Sequence, residues 1–137
     1  MITEDYVSYG TSKLLKEKGF DEATYHDYSE KGGRWFQEVL VRHNSQGGIA
    51  CPTLQMAMKW LREVHKLFIT IEVKGDPRKQ DFIYFKWSVA KYCSAQIDRI
   101  DNGLDRPENY WIAPYEEDET YERTCEAAIK YCLKNLI

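Results

Sequence analysis

The sequence lacks any apolar run near the roughly 20 residues that a membrane-spanning helix needs. Its first ten residues, MITEDYVSYG, carry Glu4 and Asp5 and contain no apolar segment of the kind that a secretory signal requires. These two absences predict a cytoplasmic protein without a membrane partner. The four cysteines are then predicted to be free thiols, because that compartment is reducing.

The sequence also lacks the spaced motifs that hold metals or phosphates. The cysteines and histidines are Cys51, Cys93, Cys125, Cys132, His26, His43 and His65. They form no C-x-x-C or H-x-x-x-H pair, so the usual spacing of a structural zinc site is missing. The paired glycines at 32–33 and 47–48 fit turns, and no P-loop or G-x-G-x-x-G pattern occurs. We therefore predict no metal and no cofactor.

An excess of basic charge is missing as well. The formal net charge is −3, which argues against general nucleic-acid binding, since that needs a basic surface. The charge is uneven, because residues 98–126 hold ten acidic and three basic side chains. This segment is more typical of a solvated loop, and an acidic mimic of nucleic acid is the alternative.

What the chain does contain is enough for one compact core. At 137 residues it has the commonest domain length, and we predict a single domain over 1–137. Aromatic residues make up 14% of the sequence. That content favours a tightly packed small core, with an aromatic binding surface as the alternative.

Three segments carry helix patterns. In YGTSKLLKEKGF, Thr11 or Ser12 is the predicted cap and Gly19 the stop of a short N-terminal helix. A second helix is predicted over about 53–66, with Thr53 as its cap. Its apolar stripe is Leu54, Ala57, Met58, Leu61 and Val64, widened by Met56 and Trp60.

The third helix is predicted over about 120–136, with Thr120 as its cap. Acidic residues at 116–119 precede it, where negative charge favours the positive end of the helix dipole. Its apolar stripe is Cys125, Ala128, Ile129, Cys132, Leu133 and Leu136.

Two hairpins are predicted. The first covers 24–42, where two aromatic and β-branched runs flank a glycine turn at 31–33, and the buried face of its second run is ambiguous. The second and stronger one joins Leu67–Val73 to Phe82–Val89, because both runs alternate strictly. The run YWIAP suggests a short edge strand within the otherwise unassigned residues 90–115.

These elements predict an α+β fold. An antiparallel sheet of about four strands is expected to carry the two main helices on one face, beside the short N-terminal helix. Both long helices open with threonine and follow strands. That likeness fits either a weak internal duplication or local capping rules.

Three segments also resemble a known group of sequences. TSKLLKEKGFDE, CPTLQMAMKWLREVHKLFITIE and ETYERTCEAAIKYCLKNLI are similar to segments of small uncharacterised proteins of phages, prophages and mobile elements of gut anaerobes. The chain departs from that pattern with Cys51 in place of Ala and with Arg123-Thr124 in place of Glu-Ala. The resemblance implies an α+β fold and a phage-linked context, and it implies no activity, cofactor or catalytic residue.

Candidate catalytic groups are weak. Cys51 and His65 flank the second helix, but 14 residues of helix separate them by roughly 20 Å, far beyond the reach of a general base. His26 or His43 could approach Cys51 through the fold. Cys125 and Cys132 share one helical face among apolar residues, which favours two small core residues over a redox or metal pair.

The leading functional prediction is a non-enzymatic phage or mobile-element accessory protein that binds another protein, with a dimer possible. The absence of a catalytic signature motivates it. Some aromatic residues cannot all belong to the core, and a cluster of them would mark an interface: Tyr25, Tyr28, Trp35, Phe36, Tyr84, Tyr110 and Trp111. The alternatives are a small hydrolase or thiol enzyme that uses Cys51 or Cys93, and the acidic mimic.

Overall fold

A computed structural model gives the fold, and it describes residues 2–75, 78, 84–91, 110–112, 117–118 and 120–137. In chain order, the elements are α1 (Tyr9–Glu17), β1 (Thr24–Tyr28), β2 (Arg34–Val41), a 3-10 helix (His43–Gln46), β3 (Ile49–Ala50), α2 (Leu54–His65), β4 (Leu67–Lys74), β5 (Tyr84–Lys91), β6 (Tyr110–Ile112), β7 (Glu117–Asp118) and α3 (Tyr121–Asn135). This arrangement confirms the predicted α+β class.

The start of α1 differs from the prediction, because Ser8 is its cap in place of Thr11 or Ser12. The Ser8 side chain accepts a hydrogen bond from the Thr11 backbone N–H. Thr11 and Ser12 lie inside the helix and are buried, so neither can take the half-extended cap conformation. The predicted stop at Gly19 is confirmed by its positive φ of 93°.

The two long helices begin where the sequence predicts. Thr53 caps α2 by accepting from the Met56 N–H, and Thr120 caps α3 by accepting from the Arg123 N–H. The helix α2 ends at Lys66, whose φ of 57° is left-handed. The threonine caps explain why the two helices start with similar sequences. An internal duplication of the chain stays a prediction.

The strands form two antiparallel sheets where the sequence predicted about four strands in one. The first sheet has the order β2-β1-β3, and the second has the order β4-β5-β6 with β7 also paired to β5. The first hairpin stays separate because β3 fills the inner edge of β1, with Asp27 opposite Ala50.

The helices α2 and α3 pack against the second sheet, as predicted. Facing pairs such as Ile69 with Val89 and Ile71 with Trp87 line the inner side of β4 and β5. They meet Leu61 of α2 and Ile129 of α3 in one continuous apolar core, which also takes in residues from α1 and β3.

Two apolar positions are wrong in the predicted stripes. Val64 lies in the last turn of α2 and is largely exposed, because Trp60 closes the core at that end by packing edge-on against Phe20. Val73 is exposed because burial falls along β4 from Leu67 to its far end. The predicted edge strand YWIAP is confirmed as β6 beside β5, while most of 90–115 lies outside the described residues.

Candidate functional site

Cys51 lies in the core, and among the described residues no histidine is hydrogen-bonded to its thiol. Its thiol is buried and lies 3.8 Å from the carbonyl oxygen of Val7, next to the Tyr28 hydroxyl. Burial raises the pKa of this thiol, so the reactive thiolate is disfavoured. His26 is linked to Cys51 through the backbone only, by the Cys51 N–H donating to the His26 carbonyl over 2.9 Å.

The three histidines lie in different parts of the fold. The ring of His65 meets that of Trp60 edge-on at 4.6 Å between centroids, and burial lowers the pKa of His65. The Nε2 atom of buried His43 lies 3.1 Å from the carbonyl oxygen of Thr24. Among the residues that the structure describes, no histidine is hydrogen-bonded to a cysteine thiol.

Cys125 and Cys132 are core residues, as the apolar pattern of their helix predicts. Both are fully buried and unpaired. Burial raises the pKa of Cys125 to about 11 and that of Cys132 to about 12. Neither thiol is therefore suited to redox or metal chemistry. Cys93 lies outside the described residues.

The acidic segment 98–126 is described only in part. Its described members support the fold, since Asp118 accepts from the Thr120 N–H and Glu126 accepts from α1. At α1, Glu126 Oε1 receives the Ser8 N–H over 3.0 Å and the Thr11 hydroxyl over 2.5 Å. Within the described ranges, no group of three or more acidic, histidine or cysteine side chains is placed to hold a metal ion.

Two grooves of the described surface contain neither a cysteine nor a histidine. One, of about 240 Å³, lies between the N-terminal segment and the starts of α2 and α3, and its titratable side chains include Glu4, Asp5 and Glu122. The other, also about 240 Å³, lies beside α2 over Met56 and Trp60. Both grooves are open rather than enclosed.

The most distinctive surface is the first hairpin. Five side chains there are exposed, and together we call them the hairpin surface: Tyr25, Trp35, Phe36, Val39 and Leu40. They are half of the large apolar side chains that are exposed in the described residues. Trp35 and Phe36 are each 63% exposed and Val39 is 65% exposed, which is unusual for adjacent strand residues of this size.

A break in the strand register exposes both sides of β2. Thr24 lies opposite Val41 and His26 lies opposite Phe36. A step of two residues on β1 therefore corresponds to a step of five on β2, and residues 37–40 have no partner on β1. Such a bulge twists and redirects a strand. The ambiguous alternation in the sequence of β2 thus has a structural cause.

A row of rings supports one side of the hairpin surface. The Arg34 guanidinium lies 4.3 Å above the Tyr6 ring, and Tyr6 lies 4.3 Å from the His26 ring. Phe36 follows at 5.2 Å from His26 and 6.2 Å from Tyr25, between ring centroids. Stacked side chains of this kind lose little conformational freedom on binding, which suits a docking surface.

The predicted exposure is confirmed for Tyr25, Trp35 and Phe36. Tyr25 and Phe36 are in ring contact, whereas Trp35 precedes Phe36 on the strand and projects from its opposite face. Tyr28 is half-buried beneath them and donates its hydroxyl to the Val7 carbonyl over 2.6 Å. Tyr84 is half-buried on the other sheet, and the side chains of Tyr110 and Trp111 are not described. The exposure of Val39 and Leu40 was not predicted from the sequence. The only sequence feature that indicates it is the polar pair Gln37 and Glu38, which interrupts the apolar pattern of β2.

Comparison with protein-family models, with curated proteins and with solved structures finds no match to this chain. The described helices include none with the length and apolar character to cross a bilayer. The functional argument therefore rests on the α+β fold and on the hairpin surface.

Proposed function

We propose that this chain is a non-enzymatic accessory protein that binds another protein through its hairpin surface. The single observation that carries the proposal is the concentration of exposed apolar side chains on one short hairpin. At 150–250 Å² for a full aromatic side chain, Trp35 and Phe36 expose roughly 200–300 Å² together. With the other three residues, the exposed apolar area amounts to a few hundred square ångströms and is divided between the two faces of β2. Contiguous apolar patches of a few hundred square ångströms mark interaction sites.

The placement of the surface supports binding over a purely structural role. The core is closed by α2, α3 and the second sheet, and the hairpin surface is not part of that core. Exposing large aromatic groups costs solubility, so their retention on a surface favours a binding use. The charged residues Arg34, Glu38 and Arg42 lie among these apolar groups, as charged rims do around protein interfaces.

The biological setting is a further part of the proposal. The predicted resemblance of three segments to proteins of phages and mobile elements favours an accessory role inside an infected or carrier cell, in the cytoplasm. The competing enzyme hypothesis is weakened at Cys51, where the thiol is buried and no described histidine is hydrogen-bonded to it. An enzyme that uses Cys93 would depend on a residue outside those described. The acidic-mimic hypothesis depends largely on such residues too.

The experiment is affinity capture from a gut-anaerobe lysate with a tagged protein and identification of the bound proteins. The wild type is expected to retain a reproducible partner, and the Trp35→Ser/Val39→Ser variant is expected to reduce its yield at least about tenfold. Val73→Ser is the matched control, because Val73 and Val39 are equally exposed at 65% on different sheets.

Equal capture by all three proteins would contradict the hairpin surface as the binding site. Absence of any reproducible partner for the wild type would contradict the binding function itself. Thermal unfolding of each variant is measured beside the capture, so that a loss of folding is not read as a loss of binding.

A further inference from the structure

Within the part of the chain that the structure describes, the outer edge of β2 is open. In the sheet order β2-β1-β3, β2 is terminal, and no described strand pairs with its outer side. Natural proteins protect such edges with proline, lysine, a very short strand or a bulge. The bulge of β2 lies at residues 37–40, after the regularly paired residues 34–36. The sequence RWFQEVLV of β2 is eight residues long and contains neither proline nor lysine. An edge of this kind is suited to pairing with another strand.

The charges of β2 are arranged for pairing with themselves. Arg34, Glu38 and Arg42 are spaced by four residues, so an acidic group lies midway between two basic groups. When two copies of one strand pair antiparallel about a two-fold axis, the residue numbers of any two facing residues add up to the same total. A pair centred on Phe36 places Arg34 of each copy opposite Glu38 of the other. A pair centred on Glu38 would instead oppose like charges, which destabilises a strand pair.

The backbone of the hairpin favours the register centred on Phe36. The Ser29 N–H donates to the Gly33 carbonyl, and Tyr28 lies opposite Arg34. Because bonding alternates along an antiparallel ladder, Trp35 directs its backbone groups toward β1. Arg34 and Phe36 then direct theirs to the open edge, where a second strand can bond to them.

Glu38 is available for such a pair. Its carboxylate makes no ion pair within the described residues, and its position within the bulge keeps it exposed. Arg34 rests on the Tyr6 ring, which holds its guanidinium on the same side of the sheet as Phe36.

We propose that two copies of this chain pair through β2, antiparallel and centred on Phe36, to form one six-stranded sheet with the order β3-β1-β2-β2-β1-β3. The inference rests on the proposed binding function of the hairpin and adds a second copy at its edge. The two hairpin surfaces then become adjacent. Five paired residues per copy fall short of the ~800 Å² that each partner of a standard interface buries, so the dimer is expected to be weak.

Light scattering after size exclusion measures the mass of the untagged protein as its concentration rises. The expected result is a shift from 16.2 kDa toward twice that mass between about 10 and 500 µM, the range of weak association. Glu38→Arg and Arg34→Glu should each raise the dissociation constant about tenfold or more, because each opposes like charges twice. The double variant R34E/E38R restores opposite charges and should restore the dimer.

The outcomes separate this inference from the proposed function. A monomer at every concentration, or a dimer insensitive to all of these charge changes, overturns the β2 pairing. Rescue of Glu38→Arg by Arg42→Glu instead of Arg34→Glu overturns the Phe36 register in favour of one centred on Leu40. If a monomeric Arg34→Glu variant still captures a partner from the lysate, the binding function does not depend on the dimer. If the wild type dimerises but captures no partner, the dimer is supported and the binding function is contradicted.

Discussion

Two strand tryptophans should differ sharply in their contribution to stability. Trp87 of β5 is 1% exposed and packs against Tyr131 at 5.2 Å between ring centroids, whereas Trp35 of β2 is 63% exposed. Replacing a buried tryptophan by alanine costs about 3–5 kcal/mol, since the surrounding core collapses only partly into the space. Trp35 has about a third of its surface to lose, roughly 90 Å² or about 2 kcal/mol at most.

Urea unfolding followed by circular dichroism gives the free energy of unfolding of Trp87→Ala and Trp35→Ala against the wild type. We expect the Trp87 variant to be less stable than the Trp35 variant by at least about 1 kcal/mol. If Trp87→Ala does not fold, Trp87→Phe takes its place with a smaller expected difference in the same direction. A Trp35→Ala variant that loses as much stability as the Trp87 variant would refute the reasoning, because Trp35 would then be a core residue.

Three further substitutions and one control, Glu63→Ala, test other parts of the fold. Burial raises the pKa of Cys132 from near 9 to about 12. Its contribution to stability is therefore full below pH 9 and is lost as the pH rises toward 12, so Cys132→Ala should flatten the fall in unfolding free energy above pH 9. Glu126→Ala, which removes the acceptor for the first turn of α1, should cost about 1–3 kcal/mol in urea unfolding. The exposed Glu63→Ala should change stability by less than about 0.5 kcal/mol. Thr53→Ala removes the cap that accepts the Met56 N–H and should lower the thermal midpoint, at a cost of about 1 kcal/mol.

Most elements of the fold could be predicted from local sequence patterns. Strict alternation in β4 and β5 and the threonine caps of α2 and α3 are local signals, and the structure confirms them. The division into two sheets depends on β3, a two-residue strand whose pairing with β1 is set by the path of the chain after the 3-10 helix. A pairing of that length leaves no periodic pattern for the sequence to reveal.

The candidate site was predictable in kind and less so in detail. The surplus of aromatic residues indicates exposed rings, and Tyr25, Trp35 and Phe36 are exposed on the first hairpin. The exposure of Val39 and Leu40 was not predictable, because it depends on a register break in which neighbouring strands advance by different numbers of residues. The sequence of β2 shows this only as an alternation that fits neither face.

The burial of Cys51 likewise depends on distant parts of the chain. Val7 and Tyr28 enclose its thiol, and neither is near it in sequence. The helical rise predicts from the sequence alone that Cys51 and His65 are far apart. The sequence does not reveal which groups lie next to the Cys51 thiol. The structure places a carbonyl oxygen and a tyrosine there.

Site-specific photo-crosslinking in living cells tests the hairpin surface most directly. A photoreactive amino acid replaces Val39 in one variant and Val73 in the other, two valines of equal exposure on different sheets. We predict protein adducts with the Val39 variant and few or none with the Val73 variant. Adducts of equal yield at both positions, or adducts at Val73 alone, would contradict the assignment of protein binding to the hairpin surface.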